Sequence, residues 1–247
     1  KEQSVELAYP IIFTKNGQIL HNSIYSNKIE QDNLLLNDSG ANSKLHYASD
    51  ITRTFPANGK FSTKQKEIYL IVKEMQEAVL TELKSGVNFK DMHKLSAYIG
   101  IKGLKELGLL KGSCTDALDA GVYGLFYPHG LGHMLGLDVH DMESLGEDLV
   151  GYDKASKREM EFGITFLRLG KKLEPGFCIT VEPGIYFIPE LLNQWKQNKK
   201  HLDFINYEKF EEYLDFGGIR IEDNILITEK KSDNLSEFII KEIDDIE

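Results

Sequence analysis

Cysteine is scarce in this 247-residue chain, and the two present, Cys114 and Cys178, lie in apolar surroundings. Without metal-type spacing they read as buried, reduced thiols, which suits a cytoplasmic protein. Long hydrophobic runs are missing as well. Nothing approaches the roughly 20 apolar residues of a membrane span, and no positively charged leader with an apolar segment precedes Ser4, so the sequence reads as neither membrane-bound nor exported. Positive charge is in deficit, with 29 Lys and Arg against 39 Asp and Glu and a net charge of −10. That argues against nucleic acid as a partner, because a phosphate binder needs a basic face, and the run Lys196 to Lys200 reads as a solvated helix end. Cationic partners or metal ions fit better. No low-complexity segment or linker rich in Pro, Gly and Ser interrupts the chain, so residues 1–247 are expected to form one domain.

What is present is ordinary for a soluble globular protein: 41% hydrophobic and 28% charged residues, on a chain long enough to bury a sizeable core. The opening third alternates apolar runs with turns. "YPIIFTKNGQILHNS" carries the hairpin signal Asn16-Gly17, and "NLLLNDSGANSKLHYASDITRTFP" predicts a second hairpin. The period then changes. Ser62 and Gln65 make a capping box, Ile68, Ile71, Val72, Met75 and Val79 follow at helical spacing, and Gly86 is expected to end the helix. A second helix is predicted from about Lys90 to Leu107, and a short one near Thr115. Later, "LEPGFCITVEPGIYF" predicts a strand over Phe177 to Val181 with a turn at each end. "PELLNQWKQNKKHLDFINYEKFEEYLDF" reads as helical pieces with Pro189 at a first position, and "GGIRIEDNILIT" returns to period two.

The segment "YPHGLGHMLGLDVHDME", from Tyr127 to Glu143, concentrates chemistry. His129 and His133 are four apart, which on a helix would put both on one face. Gly130, Gly132 and Gly136 argue against a helix, so a tight loop between extended segments is expected, with further ligands supplied from elsewhere. Four acids at the ends of apolar runs are candidates: Asp38 after "LLLN", Asp50 before "ITRTF", Glu182 after "CITV" and Glu222 in "IRIED". Singly, each would pass for a surface carboxylate at a strand end. Together they need protons or matching positive charge. Arg53 and Arg220 could neutralise two. Two divalent cations would balance all four with one neutral imidazole, and an oxygen-rich shell without thiolate favours manganese, cobalt or iron over structural zinc. Such a pair activates water and polarises a carbonyl, which points to amide hydrolysis.

These motifs resemble the pita-bread metallopeptidases, nearest to aminopeptidase P and prolidase, that is, Xaa-Pro aminopeptidases and dipeptidases. The resemblance runs from about Tyr9 to Thr228 and rests on "ILHN", "NDSG" to "SDITRTFP", "HGLGHMLGLDVHD", "TVEPGIYF" and "GGIRIEDNILIT" in that order. It implies an α+β fold, a curved antiparallel sheet with helices on one side. It also implies two divalent metals, manganese first and cobalt, iron or zinc as other candidates. Asp38 would bind one metal, Asp50 and Glu222 would bridge both, and His133 and Glu182 would complete the second. Glu182 would accept a proton from the attacking water. His21, His129 and His140 would hold the substrate and the tetrahedral intermediate. Arg220 would orient the bridging acids, and Arg168, in "LRLG", would grip the free carboxylate of a dipeptide, with a surface salt bridge as its bland alternative. His46, His93 and His201 match no motif.

Two departures stand out. The hairpin from Asp38 to Asp50 is one residue longer than in many relatives, which a turn can absorb. Relatives also carry an amino-terminal domain and helices well before the first metal aspartate, whereas here 37 residues precede Asp38. A catalytic domain truncated at its front is therefore expected, with contacts to an absent part or to another copy of the chain left open. The functional expectation is a two-metal exopeptidase cleaving between an amino-terminal residue and proline. A prolidase restricted to dipeptides is the alternative within the class, and a non-catalytic peptide- or protein-binding module the alternative outside it.

Overall fold

A computed structural model describes residues 5–22 and 24–247. The leader reading, which ends at Ser4, and the last residue of the first expected hairpin, Ser23, lie outside them. In chain order come β1 (Glu6–Leu7), β2 (Ile12–Thr14), β3 (Leu34–Ser39), β4 (Ala41–Asn42), β5 (Ile51–Pro56), α1 (Thr63–Glu82), α2 (Phe89–Glu106), α3 (Cys114–Asp119) and α4 (Glu147–Gly151). Then follow β6 (Cys178–Val181), β7 (Gly184–Tyr186), α5 (Pro189–Gln197), α6 (Tyr207–Glu211), β8 (Gly218–Arg220), β9 (Asp223–Ile227), β10 (Ser232–Asn234) and α7 (Ile243–Ile246).

The helices begin where their caps predict. Ser62 and Gln65 close both bonds of the capping box on α1, satisfying two of the N–H groups a helix leaves unpaired at its start. The helix ends at Glu82, earlier than expected, because Leu83 already turns extended; Gly86, with φ of 85°, shapes the following turn. Asn88 caps α2, and Gly108 follows its end in the left-handed region. α1 buries Ile68, Ile71, Val72, Met75 and Val79, the stripe its periodicity predicts, and packs on α2 and against β6, β7 and β8.

Every named strand pair is antiparallel. β2, β3 and β5 form one three-stranded group, and β10, β9 and β6 another. The second expected hairpin is β3 and β5, with Asp38 opposite Thr52. The first is a correction. Asn16-Gly17 does turn the chain, Ile19 N donating to Asn16 O at 2.9 Å, but among the described residues Gln18–Leu20 form no strand. β3 takes the edge of β2 instead, and the turn is pressed onto β8: a Cβ on Gly17 would lie 2.4 Å from Gly218 O.

The histidine segment is not a helix, in keeping with its glycines, but around His133 it is extended rather than the tight loop expected. Leu131 O accepts from Glu182 N at 2.8 Å, His133 O from Thr180 N at 3.0 Å, and Leu135 N donates to Cys178 O at 2.9 Å. Residues 131–135 thus add antiparallel to the free edge of β6. Gly132 permits it: a Cβ there would meet Thr180 O at 2.1 Å.

Candidate metal centre

Strand parity aims the acids. Asp50, Thr52 and Thr54 alternate along β5 and share a face, and all three are buried. β9 lies alongside: Glu222 N donates to Thr52 O at 3.0 Å, and Asp50 N donates to Asn224 Oδ1 at 3.1 Å. This brings Glu222 to Asp50. From the other edge of the sheet, the segment paired with β6 delivers His133, whose backbone N donates to Thr180 Oγ1 at 3.0 Å. One donor atom each from Asp50, His133 and Glu222 lies within 4.8 Å of the others, and all three residues are buried.

Glu182 flanks this trio, 3.5 Å from His133 Nε2, the same separation as Asp50 from that nitrogen. Asp38 flanks it on the far side, where the Tyr9 hydroxyl lies 2.5 Å from Asp38 Oδ1 and also contacts Asp50 Oδ1. Asp38 Oδ2 is held by Arg220. All five expected ligands line one cavity of about 820 Å3, together with His21, His129, His140, Arg168 and Arg220. His93 is instead buried against Tyr123 and Tyr127, and His46 is exposed.

The electrostatics describe acids crowded without enough positive charge. Burial raises the pKa of Glu222 far above the carboxylate range, with Asp50, Glu182 and Asp38 adding to it. Glu182 is lifted to about 7 by burial, against the charges of His133 and Arg220. Asp38 is also raised, its burial outweighing Arg220. Asp50 goes the other way: burial opposes ionisation, but its bond to His133 lowers it. Burial alone would lower His133, yet Asp50 and Glu182 raise it to about 8.

Glu222 Oε2 accepts from Thr52 Oγ1 at 2.7 Å, while Oε1 is buried with no partner among the described residues. An orphaned buried carboxylate oxygen beside a second carboxylate and an imidazole fits a divalent cation, and the oxygen-rich donor set suits a hard or borderline one. His133 is prepared for it. Its Nδ1 lies 2.9 Å from Met134 O, which leaves Nε2 facing Asp50 and Glu182.

Arg220 anchors the surrounding bonds. Nε donates to Thr52 Oγ1 at 3.1 Å and Nη1 to Tyr186 OH at 3.0 Å. A guanidinium only donates, so the Tyr186 oxygen accepts there and its hydrogen goes to His129 Nε2 at 2.8 Å. His129 therefore keeps its proton on Nδ1, which faces Gly130 O at 2.7 Å. Burial, then Arg220, hold its pKa at about 3. His140 also stays neutral, with burial and then His133 lowering it to about 3, and its ring meets that of His133 edge-on at 4.4 Å.

Arg53 is a correction. It pairs with none of the four carboxylates among the described residues: it donates to the backbone carbonyl of Glu222 at 2.6 Å and pairs with Asp223 at 2.7 Å. Parity is the reason: Arg53 is three positions from Asp50 and projects from the opposite face of β5. Arg168 lines the cavity but is already engaged, its Nη1 contacting Glu143 and lying 3.2 Å from Glu147. Tyr9, Thr52, Tyr186 and Asn224 escaped the sequence reading. For Thr52 a signal existed, its even spacing from Asp50; Tyr9 offers none, since the tertiary fold alone brings it there.

The sequence profile described as metallopeptidase family M24 matches residues 1–229. The chain belongs to metallopeptidase family M24. Similar curated proteins include a probable Xaa-Pro aminopeptidase of Fusarium vanettenii, 40% identical over 238 residues, 94% of this chain and 49% of that protein. The Xaa-Pro dipeptidase of Rattus norvegicus is 44% identical over 183 residues, 74% of this chain and 36% of that protein. Among solved structures, zinc-substituted Escherichia coli aminopeptidase P in complex with product is 34% identical, with a TM-score of 0.75 over 97% of this chain and 46% of that one. Pseudomonas aeruginosa aminopeptidase PepP is 32% identical, with a TM-score of 0.76 and coverage of 97% and 47%. The M24 fold expected from the motifs is thus the observed one, and the chain spans about half the length of the relatives it matches.

Proposed function

We propose that this M24 chain hydrolyses the peptide bond between an amino-terminal residue and proline, as an Xaa-Pro aminopeptidase using two divalent metal ions. The observation that carries the reading is the convergence of Asp38, Asp50, His133, Glu182 and Glu222 on one cavity. We take residues 1–247 as one catalytic domain. Manganese is the favoured metal because four of the five donors are carboxylates. A cytoplasmic site of action is inferred from the two free cysteines. No helix among the described residues is long and apolar enough to cross a membrane.

Asp38, Asp50, His133, Glu182 and Glu222 would hold the metal pair. The bound metals supply Lewis acidity that activates water and polarises the scissile carbonyl. Glu182 would take the proton from the attacking water and return it to the leaving nitrogen. An amide nitrogen leaves as an amine only once protonated, so delivery of that proton is needed before proline can leave. His21 and His140 would donate to the substrate, and His129, whose Nε2 accepts in this tautomer, would meet a substrate N–H in place of the Tyr186 hydroxyl. Phe162, Phe166, Ile188 and Leu191 offer the apolar wall that a pyrrolidine ring needs.

A second reading, a dipeptidase limited to Xaa-Pro, is favoured by Arg168 in the same cavity. Glu143 and Glu147 already neutralise it, which weighs toward longer peptides. Rates on a matched Xaa-Pro dipeptide and Xaa-Pro-Xaa tripeptide separate the two: tripeptide cleavage supports the aminopeptidase, and cleavage of the dipeptide alone the dipeptidase.

A further inference from the structure

The two glutamates of the cavity face each other across a break in a strand pair. The β6–β9 ladder ends with Val181 opposite Asp223, and β7–β8 resumes with Gly184 opposite Arg220. Carrying either register into the break sets Glu182 opposite Glu222. Pro183 lies there and has no N–H to offer, so the ladder cannot run through in the usual way. The break is stitched from α1. The side-chain amide of Gln76, fully buried, donates to Val181 O and to Ile221 O at 3.2 Å each. Those are the carbonyls immediately before Glu182 and Glu222.

A second residue fixes the orientation of that amide. Lys241 Nζ donates to Gln76 Oε1 at 2.8 Å, and an ammonium only donates, so the oxygen of Gln76 must face it and both N–H groups must face the strands. The same ammonium lies 2.7 Å from Asp223 Oδ2, on the residue after Glu222. Neither Gln76 nor Lys241 lines the cavity.

We propose that Gln76 and Lys241 are positioning residues for the metal centre: together they set the separation of Glu182 and Glu222. One planar amide spans both strands, so its two bonds fix the distance between the backbones that carry the two carboxylates. Across the break the strands' own bond runs from Ile221 N to Pro183 O at 3.3 Å, and without the amide that bond is left to hold the backbones carrying the two carboxylates. This rests on the metal reading of the cavity, and its test distinguishes the two.

Manganese is titrated calorimetrically into metal-free wild type, Gln76→Leu, Gln76→Glu, Lys241→Met and Lys241→Arg, and each metal-free protein is melted. Gln76→Glu keeps the shape and the contact to Lys241 but offers the carbonyls no hydrogen. Supporting residues behind metal ligands typically contribute about 10-fold to 100-fold in affinity. Losses of about 10-fold or more are expected in both Gln76 variants and in Lys241→Met, with Lys241→Arg close to wild type. Wild-type affinity in Gln76→Leu and Lys241→Met, with lowered melting temperatures, would overturn the proposal and leave a purely structural brace. Failure of wild type itself to bind manganese would instead overturn the metal reading beneath it.

Discussion

Arg220 grips Asp38 from the floor of the cavity, and both are almost fully buried, 4% and 8% exposed. The pair is the fixed positive charge among acids that otherwise repel. Removing one partner of a buried ion pair strands the other, at a typical cost of about 3–5 kcal/mol. Arg220→Met is expected to destabilise the protein on that scale in urea titrations. Tyr186→Phe, which removes the hydroxyl's bonds to Arg220 and His129 but strands no opposite charge, should cost less, about 2 kcal/mol. Equal losses for the two would show that the charge pair is not the dominant interaction.

Acidity should act on the metal-free protein in two opposed windows. Burial drops His93, His129 and His140 to about 3 from an ordinary 6.5. At these three sites the native state binds fewer protons than the unfolded chain between about pH 3 and 6.5, which favours stability rising with pH across that window. Glu182, raised to about 7 from 4.5, with Glu222 and Asp38 also raised, does the reverse from the ordinary carboxylate range upward and offsets that rise. His133, raised to about 8 from 6.5, loses its contribution between those two values. With chelator, the melting temperature should change little between about pH 4.5 and 6.5 and fall by pH 8. With manganese, whose charge replaces the lost protons, the alkaline fall should disappear. Scanning calorimetry at three pH values checks this, and a chelated protein still gaining stability from pH 6.5 to 8 would refute it.

Gly132 is a backbone requirement. A methyl group there would collide with Thr180 O. Gly132→Ala should push residues 131–135 off β6, cost about 3 kcal/mol, and weaken manganese binding because His133 rides on the same segment. A variant with unchanged affinity would mean that His133 does not depend on that pairing.

Glu182→Gln separates chemistry from folding. The amide cannot take a proton from water, and turnover should fall about 100-fold or more. Removing one of several crowded acids should leave the metal-free melting temperature at or above wild type. Near-normal turnover would remove Glu182 from the proton transfer.

Much of this was legible in the chain before folding. α1 and α2 declare themselves through caps and period, and the glycines around His133 rule out a helix there, although they point to a tight loop rather than the extended pairing with β6. The conspicuous acids were the ones that converged. Arg53 was misassigned because charge was counted without parity: Asp50 and Arg53 lie on opposite faces of β5, as do Glu222 and Asp223 on β9, so Arg53 finds Asp223 behind the sheet. The Asn16-Gly17 hairpin failed because a turn signal is local, whereas the partner of β2 is chosen by tertiary pairing with β3. Tyr9 and Gln76 act from sequence-distant elements, and no spacing within their own segments marks them.

The most direct test is hydrolysis of an Xaa-Pro-Xaa tripeptide and an Xaa-Pro dipeptide by this chain, first stripped of metal and then supplied with manganese. The expected result is no cleavage without metal and cleavage of the tripeptide on its addition, abolished by Glu182→Gln. Manganese bound at the cavity with neither peptide cleaved would contradict the catalytic reading and favour a module that only binds.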